Sequence, residues 1–162
     1  GHVFINNLPL QTIYLNYYRA NVGLSLSEET PVEGTLRDNI TFSDTSITDE
    51  AVFQAIEKVG LTNFIKQQPK GLQTMIYPEG KRLSYTIAKK IILARAIVKN
   101  PKMLILEDPL HQFEDQEVNR IIVFLSKPEH PWALIVVSAN NRWEHVCQQH
   151  IRLTQGKMTI IK

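Results

Sequence analysis

Residues 101–110 read PKMLILEDPL. The apolar run Met103–Leu106 predicts a buried strand, and it ends in two adjacent carboxylates, Glu107 and Asp108. In open α/β sheets the carboxyl ends of parallel strands are where ligands sit. A magnesium–phosphate site needs hard oxygen ligands at such a place, and a second carboxylate can orient or deprotonate a water. On local sequence alone the two acids read equally well as a solvated strand end that starts a turn at Pro109. Just upstream, residues 83–101 read LSYTIAKKIILARAIVKNP, a helix that starts at Ser84 and stops at Asn100-Pro101. Ile87, Ile91, Ala94 and Val98 recur at helical spacing and predict one buried face. Lys89 and Lys90 then read as part of its solvated side.

Outward from this strand, the chain alternates strands and helices. Short strands are predicted at Val3–Ile5, before a turn at Asn6-Asn7, and at Asn21–Leu26, with a helical or irregular turn at Leu15–Arg19 between them. Thr35 suits the start of a helical turn within 34–42. Thr48 is an N-cap, with Asp49 and Glu50 in the first turn where acids suit the helix dipole. That helix buries Val52, Ile56 and Val59 and stops at Gly60. A shorter helix at Asn63–Gln68 is ended by Pro69 and Gly71, and 71–82 is a polar loop. Beyond the carboxylates, a helix from about Asp115 to Ser126 buries Val118, Ile121, Ile122 and Leu125. Ala133–Ser138 is a strongly apolar strand, Trp143–Gln148 a short helix, and 151–153 with 158–161 a hairpin around Gln155-Gly156. The order predicts an α/β core with a helical subdomain from about 35 to 99.

Composition bounds the function. A chain of 162 residues with 43% hydrophobic residues suits one globular domain with a core. A formal charge of +2, with no basic run longer than Lys89-Lys90, gives no footprint for nucleic acid. The single Cys147 rules out an internal disulfide and suits a reducing compartment; it reads as a buried or neutral thiol. No apolar stretch approaches the ~20 residues of a membrane span. His111, His130, His145 and His150 lack metal spacing and read as lone surface histidines. Trp132 and Trp143 read as packing residues.

Several further stretches sit in a telling order. Residues 34–40, GTLRDNI, resemble the GTIRENI segment of exporter-type ATP-binding cassettes. NFIKQQPKGLQT at 63–74 echoes DFIxxLPxGxxT, LARA stands intact at 93–96, and IRLTQGKM at 151–158 is similar to the closing IxxLxxGxI hairpin. Residues 1–7 resemble the strand GxIxidG. The chain as a whole therefore resembles the ATP-binding cassette (ABC) domain of ABC transporters. The resemblance implies a partial P-loop NTPase-like α/β core with a helical subdomain. It divides the chain into an N-terminal part of the core at 1–34, a helical subdomain with a signature-like helix at 35–99, and a C-terminal part of the core at 100–162.

The same resemblance implies ATP and Mg²⁺ as cofactors, a transmembrane domain and a second nucleotide-binding domain as partners, and no nucleic acid. It implies a place at the cytoplasmic face of the membrane for the complete protein, and a soluble fragment here. The phosphate-binding loop GxxxxGK(S/T) lies outside these residues, and the chain reads as a fragment cut after it. The fragment alone is expected to bind ATP weakly or not at all. The Mg²⁺-contacting Gln of the family falls on Ser27. The signature LSGGQ reads Leu83-Ser84-Tyr85-Thr86-Ile87. Ser84 and the N–H groups at Tyr85 and Thr86 are the implied contacts to a γ-phosphate across a dimer, although Tyr85 and Thr86 stand where the family has glycines. As a bland alternative, Ser84 is a plain N-cap. The family's Asp-Glu order is inverted, so Glu107 takes the metal side and Asp108 the water-activating role, with a carboxylate about 1 Å short; an error of that size can cost ~10²-fold in rate. The family's switch His falls on Ala139 in an ungapped count, or on Asn140 with one inserted residue.

Three readings follow: the motor domain of an ABC exporter, a degenerate cassette with a structural or regulatory role in a transporter, and an unrelated α/β domain with accidental similarity.

Overall fold

The structure is a computed structural model that describes residues 1–162. Its elements run in the order β1 (Phe4–Ile5), β2 (Leu8–Pro9), α1 (Leu15–Ala20), β3 (Val22–Ser25), β4 (Gly34–Thr35), α2 (Leu36–Thr41), α3 (Asp49–Lys58), α4 (Thr62–Lys66), β5 (Met75–Ile76), α5 (Tyr85–Ile97), β6 (Met103–Glu107), α6 (Asp115–Leu125), β7 (Ala133–Val137), β8 (Ile151–Thr154) and β9 (Lys157–Ile160). The central sheet is parallel, in the order β3-β6-β7. Its middle strand is the predicted Met103–Leu106 run, extended by Glu107. The fold class expected from sequence, mixed α/β around a parallel sheet, is the one observed. No helix is long and apolar enough to cross a membrane.

Local chemistry accounts for most boundaries. The Thr48 side chain accepts from Ala51 N–H and starts α3, as Ser84 Oγ does from Ile87 N–H for α5. Asn100 turns the chain at φ +48° and Pro101 forbids further helix, so the chain enters β6 two residues later. The core is built where α2, α3, α5, α6 and β6 meet. Leu36, Ile40, Ile56, Ile91, Leu104, Leu106, Ile121 and Ile122 are all essentially sealed from solvent. The Trp132 and Trp143 rings are buried as expected, with Trp132 Nε1 donating to the Leu125 carbonyl at 3.0 Å.

Four expectations need correction. Residues 143–148 form no helix: Val146 and Cys147 N–H both turn back onto the Trp143 carbonyl. One buried anchor, Trp143, does not repay the cost of nucleating a helix. The loop 71–82 carries the short strand β5 and two 3₁₀ turns, because Ile76 buries and pairs with Gly34. The apolar strand expected at Ala133–Ser138 is present as β7 and stands at the sheet edge, with Ile135 and Val137 exposed and Leu134 and Val136 half-buried. His130 is no lone surface residue; its ring stacks on Trp132 at 4.0 Å. Most consequential, α5 is apolar around nearly its whole circumference, and Lys89 and Lys90 are buried.

The α2 N-terminus is a capping box. Asp38 N–H donates to Thr35 Oγ1 at 3.0 Å, and the Thr35 N–H and hydroxyl both donate to the Asp38 carboxylate. These hydrogen bonds hold the Asp38 carboxyl below its usual range. Asp44 is lowered further, by the Lys99 ammonium first and then by the Ser46 hydroxyl and N–H. The stability both carboxyls contribute is complete above their unfolded range near pH ~4 and is lost as pH falls through the folded values. Melting temperature followed from pH 5 to pH 2.5 should therefore fall less steeply in the Asp38→Asn, Asp44→Asn double variant than in the parent. The variant should also be less stable than the parent at pH 7. Parallel acid limbs would remove these two groups from the account.

Candidate functional site

Register assembles the site. β3 pairs with β6 so that Ser25 lies opposite Leu106, which brings residues 26–29 past the strand end beside Glu107. β7 pairs on the other side with Val137 opposite Glu107, which brings Ser138 beside Asp108. Four segments thus converge: the exit of β3, the exit of β6, the exit of β7, and the N-terminus of α5, which runs back along the sheet.

The two acids point to different neighbours. Glu107 accepts from Ser27 N–H at 3.3 Å, on the β3 side. Asp108 takes φ +37°, a left-handed conformation that costs a non-glycine residue about 1 kcal/mol. Its N–H bonds the Val137 carbonyl at 2.9 Å, and its Oδ1 accepts from the Ser138 hydroxyl at 2.7 Å and from Ala139 N–H at 3.1 Å. The Asp108 carboxylate is therefore oriented by the β7 exit, with Oδ2 left for another donor. Both side chains are half-buried, and each is tied to a different strand exit.

Lys89 is the residue that sequence reasoning misplaced. Its ammonium donates to the Ser27 carbonyl at 2.5 Å, the Glu29 carbonyl at 2.8 Å and the Leu26 carbonyl at 3.4 Å. It fastens the β3 exit to α5. Burial pulls its pKa below the usual lysine range, while the negative charges of Glu29 and Glu107 offset part of that pull. The Lys89 ammonium also lies 5.7 Å from the centre of the Tyr85 ring. Burial raises the Tyr85 phenol, and the charge of Asp108 raises it further.

Other residues singled out by sequence fall as follows. Ser84 caps α5 and is exposed; Thr86 follows Tyr85 in the first turn of α5. Ser27 is exposed and meets Glu107 through its backbone N–H. Asn140 is exposed, and its Oδ1 accepts from Arg142 N–H within a local turn. The contacts to Asp108 come from Ser138 and Ala139 instead. Ser138 was missed, although counting along paired parallel strands points to it.

The donor set can be tested against magnesium. No group of three or more His, Cys, Asp or Glu side chains could hold a metal ion by itself. A single carboxylate, Glu107, beside the Ser27 backbone N–H fits an ion held chiefly by phosphate oxygens and waters, the usual mode for Mg²⁺ with nucleotides.

Known proteins match this architecture. The chain is 31% identical over 116 residues to ABC-type transporter kk1G of Curvularia clavata, covering 72% of this chain and 9% of that one. It is 30% identical over 124 residues to ABC multidrug transporter MDR2 of Trichophyton rubrum, 75% of this chain and 9% of that one. It is 32% identical over 127 residues to the ABC transporter ATP-binding protein YknU of Bacillus subtilis, 78% of this chain and 22% of that one. The chain thus spans less than a quarter of the length of these curated relatives. A solved structure of a bacterial Atm1-family ABC exporter with ATP bound superposes with a TM-score of 0.88 at 19% identity, over 98% of this chain and 28% of that one. No protein-family model matches. Accidental similarity is thereby set aside.

Proposed function

The chain is part of an ATP-binding cassette of the ABC transporter kind, and from that premise we propose that it supplies the strand-end acids and signature-like helix of an exporter's nucleotide-binding domain. In the complete protein this domain couples ATP binding and hydrolysis to transport. The observation that carries the reading is the convergence of Ser27, Glu107, Asp108 and Ser138 at the carboxyl end of one parallel sheet, beside the N-terminus of α5.

Magnesium bound with the nucleotide supplies charge neutralisation at the phosphates. Glu107, with the Ser27 hydroxyl, holds the metal side. Asp108 Oδ2 accepts a proton from a water, while the Ser138 hydroxyl and Ala139 N–H fix the carboxylate through Oδ1. Asn140 contributes no charge and offers at most a hydrogen bond to phosphate. Ser84 and the first N–H groups of α5, at Tyr85 and Thr86, face a phosphate carried by a second cassette. The partners are a transmembrane domain and that second cassette, and the working place is the cytoplasmic face of a membrane. Residues 1–34 and 100–162 act as the core, and 35–99 as the helical subdomain.

In the full-length protein, Asp108→Asn should lower ATP turnover by roughly 10²-fold with nucleotide still bound. Glu107→Gln should instead raise the Mg²⁺ needed for ATP binding by roughly tenfold. Parental turnover in Asp108→Asn would defeat the assignment. A second reading, a weak cassette with a structural role, is favoured by Tyr85 and Thr86 in glycine positions and by the half-committed Asp108 carboxylate. It expects turnover near background in the parent and no further loss on either substitution.

A further inference from the structure

Away from the strand ends, the turn between α3 and α4, the middle of α5 and the first turns of α6 line an open cleft of about 430 Å³. A volume of this order lies within the range of small-molecule sites. Its chemistry is uneven. The Lys90 ammonium, only 5% exposed, donates to the Gly60 carbonyl at 3.2 Å and pairs tightly with the Glu117 carboxylate. Those two charges answer each other. Arg120 is different: its guanidinium makes no hydrogen bond within the chain, and its ion-pair partner at 3.9 Å, Glu117, is shared with Lys90, so three charges leave a net positive one.

The guanidinium lies against the Gly60 turn. Gly60 turns the chain at φ +74°, and a Cβ there would fall 1.9 Å from an Arg120 terminal nitrogen. The absence of a side chain at Gly60 lets the Arg120 fork lie over the α3–α4 turn with its donors unspent. The exposed amides of Asn63 and Gln67 flank it, and the half-buried Phe64 and Ile87 supply apolar wall. The sum is one unanswered positive charge, two amides that donate and accept, and an apolar side.

We propose that this cleft binds a small monoanionic carboxylate carrying an aromatic or branched apolar group. The planar guanidinium matches a carboxylate in a two-point hydrogen bond, and Asn63 and Gln67 supply donors for its remaining lone pairs. The ring or branch lies against Phe64 and Ile87. A single negative charge balances the cleft, whereas a dianion also meets the nearby Glu117 carboxylate at a repulsive distance. Nothing in this inference depends on the strand-end acids or on nucleotide.

Benzoate is the probe. Titrated at constant ionic strength into the 162-residue chain and followed by amide NMR, it should give saturable shifts at Gly60, Asn63 and Gln67. The expected dissociation constant is on the order of 1 mM, in keeping with nine non-hydrogen atoms. Arg120→Gln should weaken binding at least ~10-fold, and Arg120→Lys should weaken it less, because the charge remains while the fork is lost. Inorganic phosphate at pH 8, mostly a dianion, should bind more weakly than benzoate. The Arg120 side chain is 61% exposed, so both variants should melt as the parent does; Asn63→Ala, also at an exposed position, gives an independent second variant that should weaken binding. Shifts that rise linearly without saturating, or an affinity unchanged by Arg120→Gln, would overturn the site. Phosphate binding as tightly as benzoate would overturn its carboxylate selectivity.

Discussion

Gly23→Val should leave the chain largely unfolded, with a loss of at least ~4 kcal/mol in urea unfolding. Gly23 lies within β3, against α5. Even a single Cβ there would fall 2.1 Å from the Ala96 carbonyl oxygen and 3.0 Å from a Leu104 methyl. The first obstacle is helix backbone, which has no rotamer to change, so α5 must lift from the sheet. Lifting it strips cover from Leu104 and separates Lys89 from the carbonyls it holds. Gly23→Ala should show the same effect at smaller size. A Gly23→Val chain with a parental urea midpoint would mean that α5 can shift freely over β3, which the packing described above forbids.

Lys89→Met should cost about 3 kcal/mol, although it replaces a charge with an apolar side chain of similar length. The ammonium serves three carbonyls of the β3 exit. Methionine fills the volume but leaves these part-buried acceptors without their donor; a fully buried orphaned acceptor costs roughly 1–3 kcal/mol, and three partly covered ones cost less apiece. Removing the desolvated charge returns part of that, which keeps the total well below the simple sum. Amide exchange should localise the loss to residues 26–29 and the first turn of α5. Lys89→Arg should recover little, because a planar fork cannot gather three carbonyls around one point. A stability equal to that of the parent would show that water replaces the ammonium without penalty.

The legible parts of this fold were those governed by neighbours in sequence. Thr48 and Ser84 as caps, Pro101 as a stop, and Met103–Leu106 as the middle strand all follow from side chains within a few positions. The α3 and α6 faces followed from periodicity for the same reason. Lys89 and Lys90 were misread because their partners lie 27 to 63 positions away. A pair of lysines on a helix normally marks solvent, and nothing adjacent contradicts that. The contrary signal was nonetheless there: Ile91, Ile92, Leu93 and Ala94 follow without a break and cover every angle of the helix. A helix with no polar side has no solvated side on which to put a lysine. The candidate acids were legible by type and place. Their orientation was not, since Ser138 and Ala139 reach Asp108 only through the register of β6 against β7.

The two lysines of α5 have one more consequence. Apolar burial is indifferent to rotation about a helix axis when the whole circumference is apolar, so packing alone would leave α5 with several azimuths of similar energy. Adjacent helical residues point about 100° apart. Lys89 finds its acceptors at the β3 exit and Lys90 finds Gly60 and Glu117 on another side. Only one angular setting satisfies both at once. The pair acts as a key cut on two sides, and it secures uniqueness of the fold in addition to the stability its hydrogen bonds contribute.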